Sequence, residues 1–229
     1  LKWHSIAAAL ALVATTALAA DVPAGASSRS AAVAEARAAL ILMSYFPAGW
    51  TTSPSDNSNS TLGDAQVAAC LGVPVAVINY SPPSAYSPDF NHNSTAVSAS
   101  DQVSVFPNEK TAKQEFDLFS SARTPVCFAK TINSPSIKRA FEKQIGTGTK
   151  IGEASAAWLP RPAVGDSATA LELNFPFTYR GDSFHLTITI VTMISKLVAA
   201  QLTFTAAGST PFPSSLAAHL ESVTAQRLP

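Results

Sequence analysis

Residues 167–205, SATALELNFPFTYRGDSFHLTITIVTMISKLVAAQLTFT, decide the fold. Leu171, Leu173, Phe175 and Phe177 alternate with Ala170, Glu172 and Asn174. Phe184, Leu186, Ile188 and Ile190 alternate with His185, Thr187 and Thr189. A period of two puts one set of side chains on each face of a strand. Arg180-Gly181-Asp182 supplies a turn between Ser167–Phe177 and Ser183–Ile194, and Lys196–Thr205 follows directly after Ser195. Three such segments on short connections read as an antiparallel meander with one apolar and one more polar face.

Outward from this stretch, Lys150–Trp158 reads as a strand. Pro213–Arg227 reads as a closing helix with Leu216, Leu220 and Val223 on one side. Upstream, Thr95–Phe106 alternates through Val97, Ala99, Val103 and Val105, with Asp101 breaking the pattern. Thr111–Ala122 carries Ala112, Phe116, Leu118 and Phe119 at roughly helical spacing behind an Asn108 cap. Pro125 opens a short helix containing Cys127. Ser134-Pro135 places Pro at the first position of a helix running to Ile145. Asp64 is a candidate cap for Ala65–Leu71, which presents Cys70, and Val75–Ile78 reads as a brief apolar strand. Thr51–Thr61 and Asn79–Asn93 read as loops, and Ser30–Met43 as a helix. The fold class is α+β: an antiparallel sheet with a three-stranded C-terminal meander, flanked by helices.

Lys2 and His4 precede a weakly apolar run, Ile6–Ala20, and two A-x-A sites follow, Ala17-Leu18-Ala19 and Ala24-Gly25-Ala26. This is the pattern of a secretory signal peptide over residues 1–26. The run is shorter than the roughly 20 residues that span a bilayer, so no stable transmembrane anchor is expected. With no cysteine near either site, a lipoprotein anchor has no attachment residue. Residues 27–229 are then a single exported domain. Lys+Arg and Asp+Glu each number 15 and charged residues make up only 13% of the chain, so the basic footprint of nucleic-acid binding is absent.

Two cysteines in an exported chain are expected to pair, here as Cys70–Cys127 across 57 residues. The alternatives are a metal pair or a nucleophilic thiol. Zinc needs about four ligands, and neither cysteine has a C-x-x-C partner or a neighbouring histidine.

His92, His185 and His219 show no metal-ligand spacing, and no metal or cofactor site is expected. Gly165-Asp166-Ser167 matches the nucleophile block of GDS-type esterases, but comes late and before a strand. Leu216-Ala217-Ala218-His219 lacks the aspartate those enzymes place before their histidine. Asp89, Asp101, Asp166 and Asp182 stand in scattered contexts and nominate no carboxylate pair for glycoside hydrolysis. No catalytic residue is therefore nominated. Asn59-Ser60-Thr61, Asn79-Tyr80-Ser81 and Asn93-Ser94-Thr95 match the glycosylation triplet as ordinary loop composition. Trp50, Tyr80, Tyr86, Phe90 and Trp158 remain, at loops or element ends, as candidates to line an apolar ligand cleft or to plug the ends of the core.

Phe46-Pro47-Ala48-Gly49-Trp50, Ala69-Cys70-Leu71-Gly72-Val73-Pro74, Ser104-Val105-Phe106-Pro107, Pro125-Val126-Cys127 and Gly165-Asp166 occur in this order. The series resembles a group of secreted, uncharacterised actinobacterial proteins. That group is similar to the extracellular sensor domains of mycobacterial serine/threonine kinases and, more distantly, to PsbP-like cell-envelope proteins. The resemblance implies an antiparallel sheet flanked by helices, a cleft and no known catalysis. The kinase sensors carry two disulfides where this chain can make one, and no kinase domain is expected beside it.

The expected function is that of a secreted, non-enzymatic ligand-binding or sensor-like protein of the cell envelope, taking an apolar or envelope-derived small molecule. The alternatives are a protein-interaction partner in envelope assembly or transport, and a hydrolase with a site assembled from distant residues.

Overall fold

A computed structural model describes residues 26–55, 63–160, 162–165 and 167–229. The expected leader up to residue 25, the triplet Asn59-Ser60-Thr61 and Asp166 of the Gly-Asp-Ser block lie outside them. In chain order the strands are β1 (Trp50–Ser53), β2 (Ser84–Tyr86), β3 (Asp89–His92), β4 (Val97–Val105), β5 (Thr149–Ile151), β6 (Ser155–Trp158), β7 (Ser167–Tyr179), β8 (Asp182–Ser195) and β9 (Val198–Ala207). The helices are α1 (Ala26–Ala39), α2 (Asp64–Leu71), α3 (Val75–Ile78), α4 (Glu109–Phe119), α5 (Thr124–Ile132), α6 (Pro135–Ile145) and α7 (Ser214–Arg227), with a 3-10 turn at Met43–Tyr45.

The expected meander forms β7, β8 and β9. Tyr179 pairs with Asp182, leaving Arg180 and Gly181 as a two-residue turn at φ 53° and 94°. Left-handed conformation at both positions matches the twist of the flanking strands, and glycine adopts it without penalty. Ser195 pairs with Val198, so Lys196 and Leu197 are turn rather than strand. One nine-stranded antiparallel sheet runs β1-β3-β4-β9-β8-β7-β5, with β2 also on β4 and β6 also on β7.

Helices cover both faces. On the first face Val103, Leu202, Phe204, Val191 and Met193 pack with Ala36 of α1, Leu40 just after it, and Leu216 and Leu220 of α7. On the second, Leu171, Leu173, Phe175, Leu186 and Ile188 pack with Val67, Ile78, Phe128, Ile132 and Phe141 of the other helices. The more polar face expected of the late strands survives only locally. There Thr187 Oγ1 donates to Asn174 Oδ1, and Asn174 Nδ2 donates to Glu172 Oε1, both at 2.9 Å.

Cys70 of α2 and Cys127 of α5 form the disulfide, with Cα atoms 5.5 Å apart. Asn108 caps α4 as expected, its Oδ1 accepting the Thr111 N–H at 2.9 Å, and α6 starts at Pro135.

Several local expectations are corrected. Val75–Ile78 is a helical turn, held by Val77 N–H to Pro74 O and Asn79 N–H to Val75 O, both 2.9 Å. A four-residue apolar run has too little periodicity to separate the two states, and burying Ile78 against the α2/α5 core settles it. Asp64 is the first residue of α2 rather than its cap; Gly63 occupies the cap at φ 98°. The loop readings at Thr51–Thr61 and Asn79–Asn93 missed β1, β2 and β3. Those strands exist because a partner edge satisfies their backbone: β2 and β3 run along β4 in two pieces, and β1 pairs with β3. Between the pieces Ser87 donates its N–H to Asp101 O at 3.0 Å and accepts the Asp101 N–H on Oγ at 2.9 Å. Lys150–Trp158 splits in two at 152–154. α1 ends at Ala39, short of Met43, and on α7 Thr224 is buried while Val223 is half-buried.

Candidate functional site

A cavity of about 180 Å3 opens between the second sheet face and the layer formed by α4 and α5. Its floor follows from strand register. Tyr86 lies opposite Gln102, Gln102 opposite Gln201, Gln201 opposite Thr192, and Thr192 opposite Thr169. One cross-strand row thus carries polar side chains over five strands, and all five residues line the cavity. Directly opposed residues in antiparallel strands sit about 4.5–5.5 Å apart, so the row is continuous. Gln102 Nε2 donates to Ser104 Oγ at 3.2 Å, and Ser104 and Ser84 share a hydrogen bond at 2.9 Å. Ser84 Oγ donates to Pro82 O at 2.9 Å. Its proton being used there, Ser104 is the donor to Ser84, and the chain has one direction from Gln102 outward.

The wall is apolar and aromatic. Ala112, Glu115, Phe116 and Phe119 line it from α4. Their spacing of three and four residues puts them on one helix face. Phe128 comes from α5 and Trp158 from β6. The indole Nε1 of Trp158 donates to Ser121 O at 3.3 Å, which fixes the ring. Leu171 and Ile190 add aliphatic surface from β7 and β8.

Two carboxyl groups face this surface. Asp64 is buried at the start of α2, and burial raises its pKa. Glu115 stands on the inner face of α4. Burial pushes its carboxyl up to about 8, and its Oε2 is buried with no hydrogen-bond partner. Tyr80 and Tyr86 are also raised by burial; at Tyr80 the Glu115 charge adds to this and Arg29 opposes it.

Of the five aromatic candidates, Tyr80, Tyr86 and Trp158 line the cavity. Trp50 and Phe90 do not. They are buried in the core of the other sheet face, where the Phe46 ring stacks on Phe90 at 4.3 Å and lies 4.9 Å from Trp50. Phe90 pairs with Ala99 and shares its face, so the sheet itself separates it from the cavity.

Sequence reading missed Glu115, Asp64 and the Gln102–Thr169 row. The signal for Glu115 was its place between Ala112 and Phe119 on an otherwise apolar helix face. The row needs strand register, which single strands do not disclose. Among the described residues the three histidines stand apart from the cavity: His92 beside Trp50, His219 edge-on to Tyr45, and His185 exposed on β8. Among the described residues no three His, Cys, Asp or Glu side chains gather as a metal-binding group, and no helix is long and apolar enough to cross a membrane.

No family model and no curated protein matches the sequence. Among solved structures the chain is similar to LpqN, involved in cell envelope biogenesis of Mycobacterium tuberculosis. The TM-score is 0.30 and the identity 12%, over 78% of this chain and 76% of that one.

Proposed function

We propose that this protein is an extracytoplasmic, non-enzymatic binding module that holds a small, largely apolar molecule in the cavity between α4, α5 and the sheet. The observation that carries the reading is the cavity's construction: apolar aromatic walls over a polar strip, the usual composition of small-molecule sites. Its volume of about 180 Å3 suits a single ring or short chain. For scale, an apolar cavity of about 150 Å3 admits benzene. The disulfide suits an oxidising compartment, as does the signal-peptide pattern. The blocks around Trp50, Cys70 and Cys127, which resemble those of a group of secreted actinobacterial proteins, support a role in the cell envelope.

Native mass spectrometry of the protein exported by its own host tests the reading. A co-purifying small molecule is expected, and Ala199→Phe, which fills the cavity, is expected to abolish it. A clean apo mass, together with no thermal shift across a panel of lipids and glycans, would overturn the proposal. Turnover in an esterase, glycosidase or peptidase screen that Ala199→Phe eliminates would overturn its non-enzymatic part.

A further inference from the structure

We propose that the cavity selects an organic cation: a ligand whose ring-sized apolar body lies among Tyr80, Phe116 and Trp158 and whose ammonium group sits against the Glu115 carboxylate. The inference rests on the cavity being a ligand site and names the chemistry that site prefers.

Three observations converge. First, Glu115 Oε2 is buried without a hydrogen-bond partner. A buried carboxyl left unmatched is costly, and an incoming cation supplies the missing partner. On the same helix Lys113 Nζ is already paired with Asp117 at 2.9 Å on the exposed side. Second, the wall carries two carboxyl groups, Asp64 and Glu115, and no lysine, arginine or histidine is among its described residues. The wall therefore offers an incoming cation a carboxylate partner and offers a carboxylate ligand no positive charge. Third, aromatic ring faces bear negative potential and attract cations, more strongly in a desolvated site, and aromatic side chains form much of this wall.

The proton balance follows. Besides Glu115, the titratable groups lining the cavity are Asp64, Tyr80 and Tyr86, and Arg29 acts on Tyr80 from α1. Burial holds the Glu115 carboxyl protonated at neutral pH when the cavity is empty. On binding, the ligand keeps its ammonium proton, the Glu115 O–H bond breaks, and that proton passes to solvent.

Isothermal titration calorimetry near neutral pH with benzylamine and benzyl alcohol, close in shape, tests the proposal. Benzylamine is expected to bind at least about tenfold more tightly, a gap of about 1.4 kcal/mol. Repeating the titration in buffers of different ionisation heat is expected to show proton release on binding of benzylamine only. Glu115→Gln is expected to remove the preference for benzylamine and the proton release. Equal binding of both probes, or a preference that survives Glu115→Gln, would overturn the cation inference and leave the cavity reading standing. Binding of neither probe would likewise overturn the cation inference, while the cavity reading falls only on the clean apo mass and the unresponsive lipid and glycan panel.

Discussion

Asp101 breaks the apolar alternation of β4 and is buried on the inward side of that strand. Its Oδ2 accepts the Ile41 N–H at 3.1 Å, tying the end of α1 to the sheet, while Oδ1 has no hydrogen-bond partner. Burial lifts its pKa from 3.8 to about 7, against the opposing pull of the Ile41 N–H, the nearby Ser87 hydroxyl and the Arg227 charge. A folded-state value above the unfolded one means that the folded protein holds more protons between those two pH values. Stability from this group is therefore complete below the unfolded value and is lost as pH rises through the folded value. Over the roughly three pH units separating them, at about 1.4 kcal/mol each, the loss is on the order of 4 kcal/mol. Asp101→Asn keeps an acceptor for Ile41 N–H and cannot ionise. Urea unfolding of both proteins, followed by tryptophan fluorescence near pH 4.5, 6 and 8, isolates the effect, because subtraction cancels Glu115 and every other shared group. The variant is expected to gain a few kcal/mol relative to wild type between the lowest and highest pH, and to be at least as stable near pH 8. A stability difference flat to within about 0.5 kcal/mol over that range would refute the reasoning.

Three further outcomes are expected. Replacing both Cys70 and Cys127 by Ser opens a link across 57 residues and should lower the unfolding free energy by about 4 kcal/mol by loop entropy. A loss under about 1 kcal/mol in chemical denaturation would contradict that estimate. Asn133 donates to Ala154 O at 2.7 Å and accepts from Ala154 N–H at 2.9 Å. Asn133→Ala therefore strands a peptide group and should cost about 1–3 kcal/mol, measured by thermal unfolding. Leu173 is fully buried in the second-face core, so Leu173→Ala should destabilise by about 2–5 kcal/mol in urea; an unchanged unfolding midpoint would show that the site collapses around the smaller side chain.

The meander was legible because its pattern is both local and redundant. Each of β7 and β8 repeats the alternation at least four times, and Arg180-Gly181 fits few structures other than a tight turn. α4 and α6 were legible through the Asn108 cap and through Pro135 at the first helical position, since both act within one turn; the Ser134 side chain makes no capping bond. β2 and β3 were not legible. They have three and four residues, interrupted at Ser87-Pro88, and little intrinsic strand signal; pairing with β4 makes them strands. Val75–Ile78 failed for the opposite reason, a strand-like composition with no strand edge to join. Of the aromatic candidates, Tyr80, Tyr86 and Trp158 meet around one cavity while Trp50 and Phe90 fall behind the sheet. All five looked alike in sequence, because position near a loop does not report which side of the sheet a ring will take.

By itself the sequence determined the α+β class, the meander and its turn, and the partnership of two cysteines that have no other cysteine to choose. These rest on periodicity, turn chemistry and covalent arithmetic, all readable along one dimension. Tertiary structure alone decided that Tyr86, Gln102, Gln201, Thr192 and Thr169 fall in one row, and that Glu115 is left facing a cavity without a partner. Register and burial are relations between distant segments, and the energy that fixes them exists only once those segments exclude water from one another.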